Sequence, residues 1–270
     1  MTRERGMGEL TTSDGVRLTY RDTGGEGPPL VMLHGWGRSQ EMFRHQLTGP
    51  GPGRRVLTVD LRGHGLSDRP RHGQRVARLA TDVIELLDHL WIDRCDAFGW
   101  SMGAAVWWSF VDQFGTARLR RLVLADQPAA VTALPWMTAE QRRETGVLFD
   151  PPALLAFVRA RAGATPADAA VPLLFDHCVQ DWRDVLPRID RPTLVLGCEG
   201  GKVDPRSQEF VARAIPGARL HVFPSAEAGS DVPFLENPAA FDAVVRAFLD
   251  ESAETAGGPA GADRNVECAR

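Results

Sequence analysis

The sequence predicts an α/β protein built on a doubly wound, mostly parallel sheet. Two observations predict it. Short, continuous apolar runs such as "PLVMLHG" (29–35) and "PTLVLGC" (192–198) read as strands buried on both faces, since a half-wet strand alternates polar and apolar residues. Between these runs lie segments of helical period, and strands that alternate with helices pair in parallel through helical crossovers.

Taken in order, "GELTTSDGVRLTYRDTG" is a hairpin signal around Asp14-Gly15. The strands that follow are 29–35, "RVLTVD" (55–60), "CDAFGW" (95–100), "LRRLVLAD" (119–126), 192–198 and "ARLHVF" (218–223). The clearest helix is 74–91, where Val76, Leu79, Ala80, Val83, Leu87, Leu90 and Trp91 fall on one stripe. "MGAAVWWSFVDQF" (102–114), "RSQEFVARAI" (206–215) and "NPAAFDAVVRAFLDE" (237–251) are the other helices. Residues 129–188 break the alternation, being mostly helical with no convincing strand. An insertion of that size after a strand is expected to be a lid. The expected organisation is a core of 1–128 and 189–250, a helical cap of 129–188 and a disordered polar tail of 251–270.

Composition limits the function classes. The chain has 270 residues, 43% of them hydrophobic, enough for one large core. A net charge of −4 gives no reason to expect nucleic acid or an anionic membrane as partner. Lys202 is the only lysine, which reads as a GC-rich bacterial coding bias. Cys95, Cys178, Cys198 and Cys268 show no paired spacing, so they read as reduced thiols rather than disulfides or zinc ligands. With no apolar leader in the opening residues, a cytoplasmic protein is expected.

The chemistry is concentrated in three stretches. Gly99-Trp100-Ser101-Met102-Gly103 is a G-x-S-x-G between a predicted strand and helix. There the serine sits on a strained turn, small flanking residues let backbones approach, and the amide of Met102 faces a developing oxyanion. His34-Gly35-Trp36-Gly37 follows an earlier strand, where the second oxyanion donor belongs, and the amide of Trp36 is assigned to it. "VDLRGHGLSDRP" (59–70) follows the next strand. With these motifs the chain resembles the α/β-hydrolase family, in particular its bacterial esterase, perhydrolase and cofactor-free haloperoxidase-like members, over residues 8 to 250. His34 and His64 are expected to be structural. Trp36, Trp100 and Trp136 suggest an aromatic substrate pocket, whereas Trp107 and Trp108 read as core. No metal or organic cofactor is implied, and the expected partner is a small-molecule substrate.

The resemblance implies an acid after "PTLVLGC", but "GCEGGKVDP" places Gly201 in that position, with Glu199 and Asp204 displaced. Asp126, at the end of the preceding strand, is the preferred acid and Asp204 the alternative. The resemblance also implies a histidine after the last strand, in a pattern G-x-H-x-P-x-x-E-x-P. Here "GSDVPFLENP" matches it with Asp231 in the histidine position. His221 lies within a strand, His45, His72 and His89 are remote in sequence, and His177 belongs to the expected lid.

An aspartate is a weaker base than a histidine by roughly 2.6 pKa units, about 3.5 kcal/mol. It also cannot form the imidazolium–carboxylate pair that supports ordinary serine hydrolysis. Two carboxyls in one pocket would instead share a proton, which suits proton transfer on a carbon acid. Three readings follow. The first is a hydrolase of small ester, lactone or acyl substrates with an atypical Ser101-Asp126-Asp231 site. The second is a non-hydrolytic isomerase, lyase or cyclase using Asp231 as acid/base. The third is an inactive ligand-binding relative.

Overall fold

Alternate residues of each central strand feed two different cores. In β3 (Leu30–Leu33), Val31 and Leu33 pack on one side of the sheet while Leu30 and Met32 pack on the other. The same alternation runs through β4 (Val56–Val59), β5 (Cys95–Trp100), β6 (Leu119–Ala125) and β7 (Thr193–Cys198). That two-sided burial is why these strands read as unbroken apolar runs. The computed structural model describes residues 6–27, 29–47, 54–131, 151–161, 167–201, 203–227 and 230–251.

The eight described strands form one sheet in the order β1-β2-β4-β3-β5-β6-β7-β8, including β1 (Gly6–Thr11), β2 (Arg17–Asp22) and β8 (Arg219–Phe223). β2 runs antiparallel to both its neighbours, β1 and β4, and the remaining pairs are parallel. One face carries α1 (Val76–His89) and α2 (Met102–Phe114), which supply Leu79, Val83, Leu87, Trp107 and Phe110 to the first core, and α5 (Pro205–Ala214), which adds Val211. The opposite face carries α6 (Pro233–Glu236) and α7 (Pro238–Leu249) with Phe234, Phe241, Val245 and Phe248. Every residue of α2 from Met102 to Val111 is buried, as expected of a helix apolar on all sides.

Between β6 and β7 the described residues form α3 (Pro151–Arg161), α4 (Ala167–Val179) and a short 3-10 turn at Leu186–Arg188. Backbone pairing there amounts to an isolated bridge between Ala130 and Asp181. The expected tail, apart from Glu251, lies outside the described residues, as do 132–150. α6 and the 3-10 turn Gln40–Phe43 leave no signal in the sequence, since a single turn shows no period.

One residue on the predicted apolar face lies outside the core. Helical spacing puts Trp91 on the apolar stripe of α1, yet it is 88% exposed, with φ 55 just past the helix end. The amide of Ile92 reaches back to the carbonyl of Leu87, a closing turn that needs a left-handed residue between them and swings Trp91 outward. Leu86 is buried instead, and so is Asp82.

Asp82 marks the most buried ion pair of the α1 face. Arg62 is fully buried, and its Nε and Nη2 donate to the two oxygens of Asp82 at 2.6 Å. Its Nη1 and Nη2 also donate to Asp14 in the β1–β2 turn, so the guanidinium ties that turn, the loop after β4 and α1 together. Removing Asp82 leaves the buried guanidinium with the partly exposed Asp14 and takes away its two shortest bonds, the costly way to break such a pair. Asp82→Ala should therefore cost about 3–5 kcal/mol in urea unfolding. A loss below about 1 kcal/mol would show the pair to be energetically idle.

Candidate active site

The sheet order reverses direction between β3 and β5, because β4 lies on one side of β3 and the chain then returns to the other. Such a switch point opens a crevice at the carboxyl ends of the strands. The loop after β3 and the turn after β5 flank it.

Ser101 stands at that turn with φ 52 and ψ −126, in a region unfavourable to any residue with a side chain. Its N–H donates to the Ala125 carbonyl at 2.8 Å, and its own carbonyl accepts from Ala104 N at 2.8 Å. The two glycines make this possible. A Cβ on Gly99 would lie 2.5 Å from Ala104 N, and one on Gly103 would lie 2.7 Å from the Leu33 carbonyl carbon. Met102 opens α2, so its amide is among the first-turn donors that no intrahelical carbonyl takes, at the positive end of the helix dipole.

The loop after β3 lies against this turn. A Cβ on Gly35 would sit 3.1 Å from Cβ of Ser101 and 2.6 Å from Cζ3 of Trp100. The H-G-W-G and G-W-S-M-G motifs thus meet at one end of the sheet. The Trp36 ring extends to α4, donating from Nε1 to the Ala170 carbonyl at 3.2 Å and packing on Val158, Ala170, Leu174 and Cys178. His34 accepts from Leu61 N at 3.1 Å through Nε2, which leaves its Nδ1–H to donate to the Gly35 carbonyl at 2.8 Å. Burial lowers the His34 pKa to about 4. His64 packs edge-on to it at 5.1 Å and is lowered to about 3 by burial and by His34. Both are neutral struts of the loops beneath the site.

Asp126 follows β6 with φ 54, is 5% exposed, and donates its amide to the Leu196 carbonyl at 3.2 Å. Among described non-glycine residues, left-handed backbone occurs at Trp91, Ser101 and Asp126, two of which adjoin the crevice. Asp204 is placed differently. It caps α5 by accepting from Arg206 N at 2.9 Å and pairs with the exposed Arg206 guanidinium, which holds its carboxyl below the usual range. Glu199 turns outward to accept from Ser225 N at 3.1 Å.

Asp231 lies on the loop between β8 and α6, and its carbonyl accepts from the indole N–H of Trp100 at 2.7 Å. A Cβ on Gly201 would lie 3.5 Å from Cβ of Asp231. Residues 201 and 231 therefore face each other across the ends of β7 and β8. The buried Cys198 thiol is pushed up to about 12, first by burial and then by the charges of Asp126, Asp231 and Glu236. Nothing in the sequence spacing connects Cys198 to these carboxylates, and only the folded ends of β6, β7 and β8 bring them to one thiol.

Trp100 was expected as a pocket wall. It is 6% exposed, with its ring under Gly35 and against Phe234. Trp136, the other expected pocket residue, lies outside the described residues. His177 is buried in α4, and burial lowers its pKa to about 4. Among the described residues no group of acidic, histidine and cysteine side chains has the arrangement of a metal site. No described helix is long and apolar enough to cross a membrane.

A strained serine at a strand-to-helix turn, beside a glycine loop at the switch point of a parallel sheet, defines the nucleophile-elbow class of α/β proteins. The sequence model of the alpha/beta hydrolase family matches residues 30–244, and the chain belongs to that family. It is 33% identical over 137 residues to the AB hydrolase superfamily protein YisY of Bacillus subtilis, a match covering 50% of this chain and 51% of that protein. The chain thus spans about half the length of that relative. A crystal structure of a hydrolase from Pseudomonas aeruginosa is 32% identical with a TM-score of 0.73, covering 91% of this chain and 98% of the other. An esterase from Rhodococcus sp. ECU1013 is 25% identical with a TM-score of 0.72, covering 90% and 98%.

Two outcomes are expected from the site's packing. Alanine is favoured over glycine inside a helix by about 1 kcal/mol. At Gly103 the crowding against Leu33 should win, so Gly103→Ala is expected to lower stability by about 1–3 kcal/mol. An unchanged or raised thermal midpoint would contradict this.

The second concerns pH. His34, His64 and His177 have folded pKa values below the ordinary 6.5, so the unfolded chain binds more protons between there and about 4. Their stabilisation is complete above pH 6.5 and is lost as pH falls towards 4. For a group shifted as far as His34 the loss is of the order of 3 kcal/mol. Urea midpoints should be level from pH 7 to 8 and decline through this window. A level profile down to about pH 4.5 would show that burial does not hold these rings neutral.

Proposed function

We propose that this α/β hydrolase acts on a small carbonyl-containing substrate, an ester, lactone or acyl compound, through an atypical Ser101-Asp126-Asp231 site. The observation behind the proposal is the strained elbow at Ser101 with the Gly35 loop packed against it. Ligand binding alone would not require a nucleophile on such a turn. In this reading Ser101 Oγ attacks the carbonyl carbon and its proton passes to the carboxylate of Asp231. The amides of Trp36 and Met102 hold the oxyanion, worth about 3–4 kcal/mol per donor in comparable sites. The proton returns to the leaving oxygen, and water then releases the acyl group. Helices α3 and α4 serve as a lid whose contact with the site runs through Trp36.

A second reading is favoured by the Gly201–Asp231 juxtaposition. With glycine in the usual acid position, Asp231 meets no carboxylate there, so it is free to serve as an acid/base in its own right. It would then move a proton beside a carbonyl while the oxyanion hole holds the enolate and Ser101 donates a hydrogen bond.

Fluorophosphonate labelling separates the two, since only an activated serine reacts quickly. Restoring the family's pattern gives a stronger test. Asp231→His should raise kcat/KM for an activated ester well above tenfold, which is about 1.4 kcal/mol. Gly201→Asp with Asp231→His should raise it further, because a Cβ at 201 meets the Cβ of residue 231 at van der Waals distance. Both gains should vanish in Ser101→Ala. If Asp231→His changes neither ester hydrolysis nor labelling, residue 231 is not a working group of the site.

A further inference from the structure

Trp100 touches three parts of the site at once. Its backbone leads directly into Ser101, and its ring lies where any side chain on Gly35 would collide with it. Its indole N–H donates to the Asp231 carbonyl at 2.7 Å, while its ring meets Phe234 of α6 edge-on at 6.0 Å. The outer side of the same loop is held separately, for Ser230 donates both its amide and its hydroxyl to Glu236. At 6% exposure the indole has little water to turn to. Losing one partner of a buried hydrogen bond leaves the other unpaid for its desolvation.

We infer that Trp100 is a positioning residue. Its N–H fixes the backbone of residue 231 relative to Ser101, so that the side chain at 231 acts from a set distance. The residue before the nucleophile thereby couples the elbow to the loop after β8, two segments 131 positions apart in sequence. Asp231 inherits a backbone position that an indole holds, whatever side chain the position carries. The functional part of this inference rests on Asp231 being a working group, as proposed above; the hold on the loop does not.

The test has two arms. In the first, hydrogen exchange is followed by mass spectrometry in wild type and Trp100→Phe, which keeps an aromatic ring but loses the donor. The amides of Leu235 and Glu236, bonded to the Val232 carbonyl, report on the loop. Their exchange should accelerate by about tenfold or more while that of α2 is unchanged. If Trp100→Phe does not fold, 3-benzothienylalanine at position 100 keeps the ring shape and removes only the N–H. Unchanged exchange in the folded variant overturns the inference.

In the second arm, Trp100→Phe is added to Asp231→His. The esterase gain should fall by about tenfold in kcat with KM within about twofold, and the pH midpoint of the histidine limb should move. A full-sized gain that survives Trp100→Phe overturns the inference, whatever the exchange shows. If Asp231→His gains nothing but exchange accelerates, the functional reading fails and the hold of Trp100 on the loop stands.

Discussion

A serine carries left-handed backbone at the end of β5 because two backbones on either side of it come closer than any side chain would allow. Gly103 places the first turn of α2 against the carbonyl of Leu33, and Gly99 lets the same turn fold back over β5. The strain at Ser101 is one local cost, of the order of 1–3 kcal/mol. It is offset by a helix buried along ten consecutive residues and by the Ser101 N–H bond to Ala125, which continues the β5–β6 pairing past the end of the strand. The rest of the crevice is arranged around this close approach: the Gly35 loop above Trp100, Asp126 one strand away, and Asp231 beyond it.

The supporting polar groups fall into two kinds. His34, His64 and the Arg62–Asp82 pair lie beneath the loops, buried and satisfied, and they hold backbone rather than substrate. The carboxylates at the strand ends differ. Asp204 and Glu199 are taken up by a helix cap and a turn, whereas Asp126 and Asp231 extend their fields to the Cys198 thiol. This sorting cannot be made from residue type, since all four are acids near the ends of strands. It follows from which residues the ends of the strands bring beside each acid.

Asp231 is set in a closely defined neighbourhood. The Ser230–Glu236 bonds, the Pro233 start of α6 and the Trp100 contact give residue 231 a defined place. Gly201 lies within van der Waals reach of it. With Asp231 in contact, a carboxylate at 201 would bring like charges together.

The sheet, its order of elements and the elbow were legible in the sequence because each depends on local pattern. Two-sided burial makes a strand uniformly apolar, helical burial imposes its period, and G-x-S-x-G answers to steric limits within five residues. Trp91 shows where pattern stops: it kept the helical spacing, but the chain had already turned left-handed beneath it. Only the tertiary structure decided that Asp204 and Glu199 are taken up by a cap and a turn, that Trp100 reaches Asp231, and that Gly201 faces it. Those relations join the ends of different strands, far apart in sequence. Their distances are set by how the sheet twists and packs, which no spacing along the chain records.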